Sequence, residues 1–171
     1  MLHIYTGNGK GKTTAAVGLA VRAKGAGKKV YFFQFLKNGT SSEISELKKL
    51  GIETACTPDC DKFTSAMSAA ELKTVTAQHN ELLSRAKEAI LSGKADLIVL
   101  DESIGAYNKR LLDTDKASEL IELAASSECE LVLTGREAPQ ELCTLADYVT
   151  EMLAHKHPYN KGIKARKGIE Y

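Results

Sequence analysis

Short apolar runs alternate with helical segments along the chain, and this alternation restricts the possible folds more than any other feature. Runs of strand length occupy 2–6, 29–36, 51–56, 96–102, 130–136 and 147–152. Amphipathic periodicity or capping sequences predict helices between them, at 12–27, 40–50, 68–90, 113–126 and 138–146. This repeated strand–helix–strand pattern favours a mostly parallel sheet with right-handed crossovers. We therefore predict an α/β fold with helices on both faces of the sheet.

Two Ser/Thr-x-x-Glu sequences indicate where helices begin. The first, at 40–43, precedes a short helix that runs to Leu50, and the second, at 68–71, precedes a long helix. In such a capping box, each of the two side chains accepts a hydrogen bond from the other residue's backbone N–H. One face of the long helix is apolar, and we assign it to the core: Leu72, Val75, Leu82, Leu83, Ala86 and Ile90.

Composition limits the classes of protein that this chain can represent. Its 171 residues suit a single domain over 1–171, and 43% hydrophobic with 26% charged residues is typical of a globular protein. A net charge of +1 and the lack of an apolar run of bilayer length give no reason to expect nucleic acid or a membrane as partner. Because no secretory signal opens the sequence, we expect a cytoplasmic protein whose four cysteines are reduced thiols.

A glycine-rich loop connects the first predicted strand to the first predicted helix. It reads TGNGKGKT over 6–13. Backbone N–H groups of such a loop form an anion nest, the helix N-terminus adds partial positive charge, and Lys12 adds a full charge. The loop therefore predicts a phosphate site on a P-loop NTPase-like (RecA-like) three-layer fold. Because Thr6 stands where the GxxxxGK[ST] pattern has its first glycine, we expect a modified loop path.

Acidic residues follow another predicted strand and suit a divalent cation. Asp101 and Glu102 end the apolar run at 96–102, and Thr-Gly-Arg ends the run at 130–136. Ligands of parallel α/β sheets bind beyond the carboxyl ends of the strands, so these residues should meet the loop at one edge. The carboxylates and the Thr13 hydroxyl suit Mg²⁺, or Mn²⁺, and one carboxylate could orient a nucleophile. The residues by themselves indicate a protein that binds Mg²⁺ with ATP or GTP and leave the reaction open.

Several motifs together resemble those of the P-loop ATP:corrinoid (cob(I)alamin) adenosyltransferases. They are TGNGKGKTTAA, VLDE, LTGR, ADYVTEM and the terminal KHPYNKGIKARKGIEY, and the resemblance covers nearly the whole chain, from Ile4 to Tyr171. Many NTPases share the loop, whereas the terminal motif is more specific and, on this resemblance, forms part of the fold or the site. The resemblance implies transfer of the 5′-deoxyadenosyl group of ATP to Co(I) of a reduced corrinoid, with release of triphosphate, in adenosylcobalamin biosynthesis or salvage. It also implies a homodimer and an electron donor such as a flavoprotein.

The resemblance further implies roles for single residues. Lys12 and Glu102 would be catalytic, and Thr13, Glu102 and Asp101 would serve the metal ion. Arg136 would touch the polyphosphate or the dimer partner, although an arginine after a strand is as often part of a surface ion pair. The residues that match the ATP-binding positions are Gly7, Asn8, Gly9, Lys10, Gly11, Lys12, Thr13, Thr14 and Arg136.

Two features depart from the family pattern. The first strand begins at residue 2, so a lid formed by an N-terminal extension is expected to be missing or differently built. The chain has no Trp, and Phe63 is the only aromatic residue in the irregular segment 57–68, where family members place bulky aromatics against the corrinoid. Phe63 is therefore the candidate corrinoid contact, and the alternative is an anchor for this segment on the core.

Two other functions stay open at this point. The loop and the VLDE motif would equally serve an ordinary ATPase or kinase that cleaves the γ-phosphate. A nucleotide-dependent corrinoid-binding protein without catalytic activity is the second. An ATPase or kinase would release ADP and phosphate in place of triphosphate. A binding protein without catalytic activity would show no turnover.

Overall fold

The computed structural model describes residues 1–170, and its strands form one six-stranded sheet. All strand pairs are parallel, in the order β3-β2-β4-β5-β1-β6. The strands are β1 Leu2–Thr6, β2 Val30–Gln34, β3 Glu53–Ala55, β4 Leu97–Asp101, β5 Glu130–Thr134 and β6 Tyr148–Glu151. The predicted α/β class with a parallel sheet is therefore confirmed, and the carboxyl ends of β1, β2, β4 and β5 lie side by side.

Helices connect the strands and cover both faces of the sheet. They are α1 Lys12–Gly25, α2 Ser42–Lys49, α3 Ala69–Leu91, α4 Ser103–Asn108, α5 Thr114–Ala125 and α6 Gln140–Leu145, with short 3-10 turns at Thr64–Ala66 and Pro158–Lys161. The sequence patterns did not predict α4, which is only six residues long. It begins directly after the two acids at the end of β4, so it shapes the edge where a ligand is expected.

Two apolar layers, one on each face of the sheet, hold the strands in place. Along β2, Phe32 packs in the layer beneath α1 and α2, whereas the next residue, Phe33, packs in the layer beneath α3 and α5. Val99 and Leu100 divide between the same two layers along β4. Full burial of each such side chain contributes about 1.5–3 kcal/mol to stability. Central strands buried on both faces give the carboxyl edge a rigid support.

The two predicted capping boxes have different outcomes. At α3 the box is confirmed: Glu71 N–H donates to Ser68 Oγ (3.3 Å), and Ser68 N–H donates to Glu71 Oε2 (2.7 Å). At α2 the predicted box from Thr40 is wrong. Ser41 is the N-cap residue and makes no side-chain cap bond, because Thr40 donates to Asn38 Oδ1 and Glu43 accepts from Gln34 Nε2 (3.0 Å). Glu43 is therefore directed toward the carboxyl edge of the sheet and not toward its own helix terminus.

Three further predictions concern membranes, cysteines and the terminal motif. Within residues 1–170, no helix is both long and apolar enough to cross a bilayer. All four cysteines are free, as predicted: Cys56, Cys60, Cys129 and Cys143. In the terminal motif, residues 156–170 follow β6 across the surface, and Tyr171 lies outside the described residues.

Candidate active site

The glycine-rich loop between β1 and α1 is braced by the chain that follows β6. Gly9 N–H donates to Met152 O (2.6 Å), Met152 N–H donates to Thr6 O (2.9 Å), and Ala154 N–H donates to Asn8 Oδ1 (3.0 Å). A Cβ atom on Gly9 would lie only 2.7 Å from Met152 O, so a larger residue would force the two segments apart. The loop path therefore depends on this close contact, which no single sequence motif reveals.

Thr6, the departure from the consensus loop, continues the first strand. It pairs with Glu151 of β6, and the turn starts one residue later at Gly7, whose φ is 101°. Its hydroxyl oxygen accepts a hydrogen bond from Ala138 N–H (3.1 Å). The Thr6 side chain thus attaches the start of the loop to the segment between β5 and α6, a contact that glycine would lack.

Lys12 is buried inside the loop. Its Nζ donates to Gly7 O and Gly9 O, both at 2.8 Å, and the residue is only 8% exposed. Burial lowers the pKa of Lys12, opposed mainly by the charge of Glu102. An ammonium group has three N–H donors, and these two bonds use two of them. The ammonium group is therefore fixed against the backbone of the loop that is expected to bind phosphate.

Asp101, the last residue of β4, connects the ends of β2 and β5 to the loop helix α1. Its Oδ1 accepts from Thr13 Oγ1 (2.8 Å) and Thr134 Oγ1 (2.7 Å). Its Oδ2 accepts from Lys37 Nζ (2.8 Å) and, more weakly, from Gln34 Nε2 (3.4 Å). Asp101 is completely buried, and a buried carboxylate requires such compensation. It therefore acts as the junction of α1, β2, β4 and β5.

Glu102, the neighbouring acid, has the opposite environment. Its backbone is left-handed, with φ of 60°, and its N–H donates to Thr134 Oγ1 (2.9 Å). Among the described residues, no group donates a hydrogen bond to its carboxylate. Burial raises the pKa of Glu102, as does the charge of Asp101, while Lys37, Lys12 and Arg136 oppose the rise. Strained backbone beside an unpaired acid is typical of functional sites.

Lys37 is a site residue that the sequence patterns did not predict. It forms an ion pair with Asp101 at 2.8 Å, with its own side chain 28% exposed. Burial by itself would lower the pKa of Lys37, but Asp101, followed by Glu102 and Glu43, raises it above the usual value. Its position just after β2 could have indicated this role, because β2 adjoins β4 in the sheet and β4 ends at Asp101.

The other predicted loop residues and Arg136 lie at the surface of this site. Asn8, Lys10 and Thr14 are exposed, as is Arg136, which follows β5. Within residues 1–170, Arg136 forms no ion pair, so the surface-pair alternative has no support. Its charge nevertheless lowers the pKa values of Lys12 and Glu102. The structure thus brings Arg136 near both predicted catalytic residues.

Two open cavities flank Lys37. The loop-side cavity, of about 390 Å³, is lined by Thr13, Thr14, Val17, Lys37, Ser41, Ser42, Glu43, Glu46 and the terminal residues 168–170. The Phe63 cleft, of about 790 Å³, includes Leu36, Lys37, Phe63, Glu102 and Lys109 in its lining. Lys37 contributes to both. A ligand in one cavity would therefore adjoin a ligand in the other.

Phe63 and the terminal motif take positions that bear on their predicted roles. Phe63 is 88% exposed in its cleft, so the alternative of a core anchor is wrong. Gly168, Ile169 and Glu170 face the loop helix across the loop-side cavity. The sequence patterns did not place the chain end there, because nothing local to it specifies its contact with α1.

Comparison with known proteins yields consistent relatives over the whole chain. The model of the family described as ATP:corrinoid adenosyltransferase BtuR/CobO/CobP matches residues 1–171. A corrinoid adenosyltransferase of Escherichia coli (strain K12) is 34% identical over 175 residues, covering 98% of this chain and 84% of the relative. The corrinoid adenosyltransferase CobA of Salmonella typhimurium (strain LT2) is 33% identical over 170 residues, with the same coverage. A corrinoid adenosyltransferase of Pseudomonas aeruginosa is 31% identical over 172 residues, covering 100% of this chain and 83% of the relative.

Proposed function

The chain belongs to the ATP:corrinoid adenosyltransferase family, and we propose that the loop and the Phe63 cleft carry out the transfer of the 5′-deoxyadenosyl group from ATP to a reduced corrinoid. The Co(I) centre supplies an electron pair to C5′ of the ribose and becomes Co(III) in the new Co–C bond. The C5′–O bond breaks, its electron pair remains on oxygen, and inorganic triphosphate leaves. The family match over residues 1–171 is the observation that carries this conclusion.

The loop would bind and neutralise the triphosphate. Negative charge develops on the oxygen that leaves C5′, so positive charge and N–H donors held in place beforehand lower the barrier. Lys12 would provide the charge, because its ammonium group is already fixed by Gly7 O and Gly9 O. Arg136, Lys10 and the loop N–H groups would add to the field around the phosphates. No protein nucleophile is required, because cobalt is the nucleophile.

Mg²⁺, or Mn²⁺, is the metal that we propose for this edge, and the donors fit it. Thr13 and the two acids supply hard oxygen ligands, which Mg²⁺ prefers together with phosphate oxygens and water. Within residues 1–170 no three His, Cys, Asp or Glu side chains form a metal site by themselves, so ATP oxygens would be needed. When bound, the metal would offset charge on the triphosphate. Glu102 is the open carboxylate, whereas Asp101 already accepts four bonds and would position Thr13.

The Phe63 cleft would hold the corrinoid next to the nucleotide. Phe63 exposes its ring in this cleft, and an apolar ring can cover one face of a flat macrocycle and exclude water from it. Lys37 lies between this cleft and the loop-side cavity, and it would carry a second positive charge toward the leaving triphosphate. The arrangement would keep C5′ between the loop and cobalt.

The proposal includes partners. Co(I) is reached only by reduction, for which we propose a flavoprotein donor, and we propose a cytoplasmic location for both proteins.

We also propose a homodimer, since the edge strand β6 leaves Tyr148 and Val149 about half exposed, at 52% and 48%, with Leu145 beside them at 63%. Sedimentation of the purified protein tests this last point, and a monomer at assay concentration would contradict it.

An anaerobic assay with ATP and chemically reduced corrinoid tests the function. We expect adenosylated corrinoid and triphosphate in equal amounts. ADP and phosphate as the main products would favour an ordinary ATPase or kinase, and binding without turnover would favour a carrier. Either outcome would contradict the proposed reaction.

A further inference from the structure

A fully buried histidine, His79 of α3, makes two hydrogen bonds that the proposed mechanism does not use. Its Nδ1 lies 2.6 Å from Leu111 O, and its Nε2 accepts the backbone N–H of Leu36 at 3.1 Å. A carbonyl can only accept and an N–H can only donate, so the two partners require a neutral ring with its proton on Nδ1. The ring also stacks on Phe35, with centroids 5.1 Å apart.

The hydrogen bond from Leu36 N–H to His79 stabilises an unfavourable backbone conformation at Leu36. Leu36 has φ of 54°, in the left-handed region that side-chain-bearing residues seldom adopt. Such a conformation persists only where the surroundings impose it. The His79 bond satisfies the Leu36 N–H in that conformation, since this N–H has left the strand ladder at the end of β2.

The next residue is Lys37, and its placement follows from this turn. Thr57 N–H donates to Lys37 O (3.0 Å), and Thr57 Oγ1 donates to Gln34 O (3.2 Å). These bonds hold the segment on the β3 side, while His79 holds it on the α3 side. Between the two supports, the Lys37 side chain extends to Asp101 and lies between the loop-side cavity and the Phe63 cleft.

The charge state of the ring agrees with this role. Burial lowers the pKa of His79, and the hydrogen bond to Leu111 offsets the change only in part. A protonated ring would direct an Nε2–H donor at the Leu36 N–H donor. The neutral ring is therefore the form that can hold Leu36.

We infer that His79 is a positioning residue for adenosyl transfer: by accepting the Leu36 N–H, it fixes the turn that places Lys37 between Asp101 and the leaving triphosphate. The last step rests on the proposed function, whereas the link from His79 to Lys37 does not. His79 acts toward Leu36 as a neutral acceptor, and it lines neither the loop-side cavity nor the Phe63 cleft.

Two substitutions of His79 separate its hydrogen bond with Leu36 from its hydrogen bond with Leu111. The side-chain oxygen of His79→Gln reaches the position of Nε2 and can accept from Leu36, whereas the side-chain nitrogen of His79→Asn reaches the position of Nδ1 and can donate to Leu111. Both variants lose the stack on Phe35 and one hydrogen bond, so both melting temperatures should fall by similar amounts. A role limited to stability therefore predicts similar activities for the two variants well below their melting temperatures.

We expect different activities. With ATP and Co(I) corrinoid, His79→Asn should lose about tenfold to a hundredfold in kcat, while His79→Gln stays within about threefold of the parent, because displacement of a group near the reacting atoms by about 1 Å has costs of this size. The KM for ATP should change less than kcat in His79→Asn. Equal activities of the two variants, or a larger loss in His79→Gln, would overturn the inference.

A measurement on the unmutated protein keeps the inference testable even if neither variant folds. Nitrogen NMR of the His79 ring should show a neutral ring protonated at Nδ1, and the Leu36 amide should be protected from hydrogen exchange. A proton on Nε2, or rapid exchange at Leu36, would contradict it. If the parent protein fails to adenosylate corrinoid, the proposed function fails, and these two spectroscopic results still decide the His79 link.

Discussion

The loop edge, which is the carboxyl edge of the sheet around Lys12 and Asp101, meets the Phe63 cleft at Lys37, but the two are built in opposite ways. At the loop edge, Lys12 is 8% exposed and held by two hydrogen bonds, and Asp101 is completely buried and accepts four. In the cleft, Phe63 is 88% exposed, and its neighbour Lys62 pairs with Glu71 at the surface. Groups fixed before the reaction stabilise developing charge most effectively. Under the proposed function, the protein itself prepares the half of the site that would bind triphosphate, whereas the corrinoid would complete the half at Phe63.

Removing Lys12 should have the largest effect on catalysis. Lys12→Ala deletes a fixed charge from the loop edge, and loss of one such contact costs about 10²–10³ in kcat, or roughly 3–4 kcal/mol of barrier. Steady-state kinetics with Co(I) corrinoid measures the loss. Lys94→Ala is the matched control, since this lysine precedes β4 at the opposite edge of the sheet. Activity of Lys12→Ala within a few-fold of the parent would show that the triphosphate binds elsewhere.

The two adjacent acids should differ in their effects on stability. Asp101→Ala leaves the Lys37 ammonium group without its buried partner, and such a loss lowers the free energy of unfolding by about 3 kcal/mol. Glu102→Ala removes no side-chain hydrogen bond within the described residues, so its free energy of unfolding should change by less than about 1 kcal/mol. Denaturant unfolding measures both values. Equal destabilisation would contradict the contrast between the acids.

The pH dependence of stability tests the Glu102 environment further. Its pKa is raised in the folded protein, chiefly by burial, so the folded state binds its proton more tightly than the unfolded state does. The contribution of Glu102 to stability therefore falls as pH rises from the unfolded pKa, about 4.3, through the higher folded value. Glu102→Gln should gain stability relative to the parent between pH 4 and pH 7, as thermal melts at both pH values would show. A relative loss over that interval would mean that a donor stabilises the ionised acid.

A smaller effect, limited to one assay, is expected for Phe63. If its ring covers the lower face of the corrinoid and excludes the lower axial ligand of cobalt, it favours the four-coordinate Co(II) that a flavoprotein can reduce. Phe63→Ala should then hinder reaction from Co(II) with a flavoprotein donor but not from chemically prepared Co(I). The loss in the Co(II) assay should be about tenfold to a hundredfold, which corresponds to the roughly 1.5–3 kcal/mol from burying such a side chain. The melting temperature should not change, because the ring is exposed.

An exposed apolar residue outside the cleft supplies the control for Phe63. Leu91→Ala, at the end of α3, should match the parent in both assays. Equal losses for Phe63→Ala in the Co(II) and Co(I) assays would assign the ring to general corrinoid binding and not to control of the lower face.

The smallest expected change concerns the N-terminal cap of α3. Ser68→Ala breaks the capping box of α3 and should reduce the free energy of unfolding by about 1 kcal/mol. Activity from Co(I) should be unchanged, since the loop edge does not depend on this cap. A fall in that activity would mean that the beginning of α3 also supports the triphosphate half, and the two regions would then be less separate than we propose.

The loop edge was largely predictable from the sequence because its determinants are local. A strand, glycines and Lys12 specify the loop, and the apolar run before Asp101 specifies β4. The parallel topology then places both at one edge without any detail of packing. The β1 and β4 strands have nearly the predicted bounds for the same reason.

The residues that the sequence did not reveal depend on contacts between distant segments. The bond between His79 and Leu36 joins positions 43 residues apart, and the one between Ala154 and Asn8 joins positions 146 apart. Thr40 had a capping sequence but lost the role because Glu43 found a partner in Gln34 on a neighbouring strand. Tertiary hydrogen bonds of this kind override local preferences, and no periodicity records them.

The position of the broken bond tests the central claim most directly. ATP labelled with ¹⁸O at the oxygen that joins C5′ to the α-phosphate would be converted anaerobically with Co(I) corrinoid, and the products analysed by mass spectrometry. Attack of cobalt on C5′ predicts that the label leaves entirely with triphosphate, together with an unlabelled adenosyl group on cobalt. Label retained on the nucleoside, with ADP or AMP as product, would mean that a phosphorus–oxygen bond breaks, and would contradict the account.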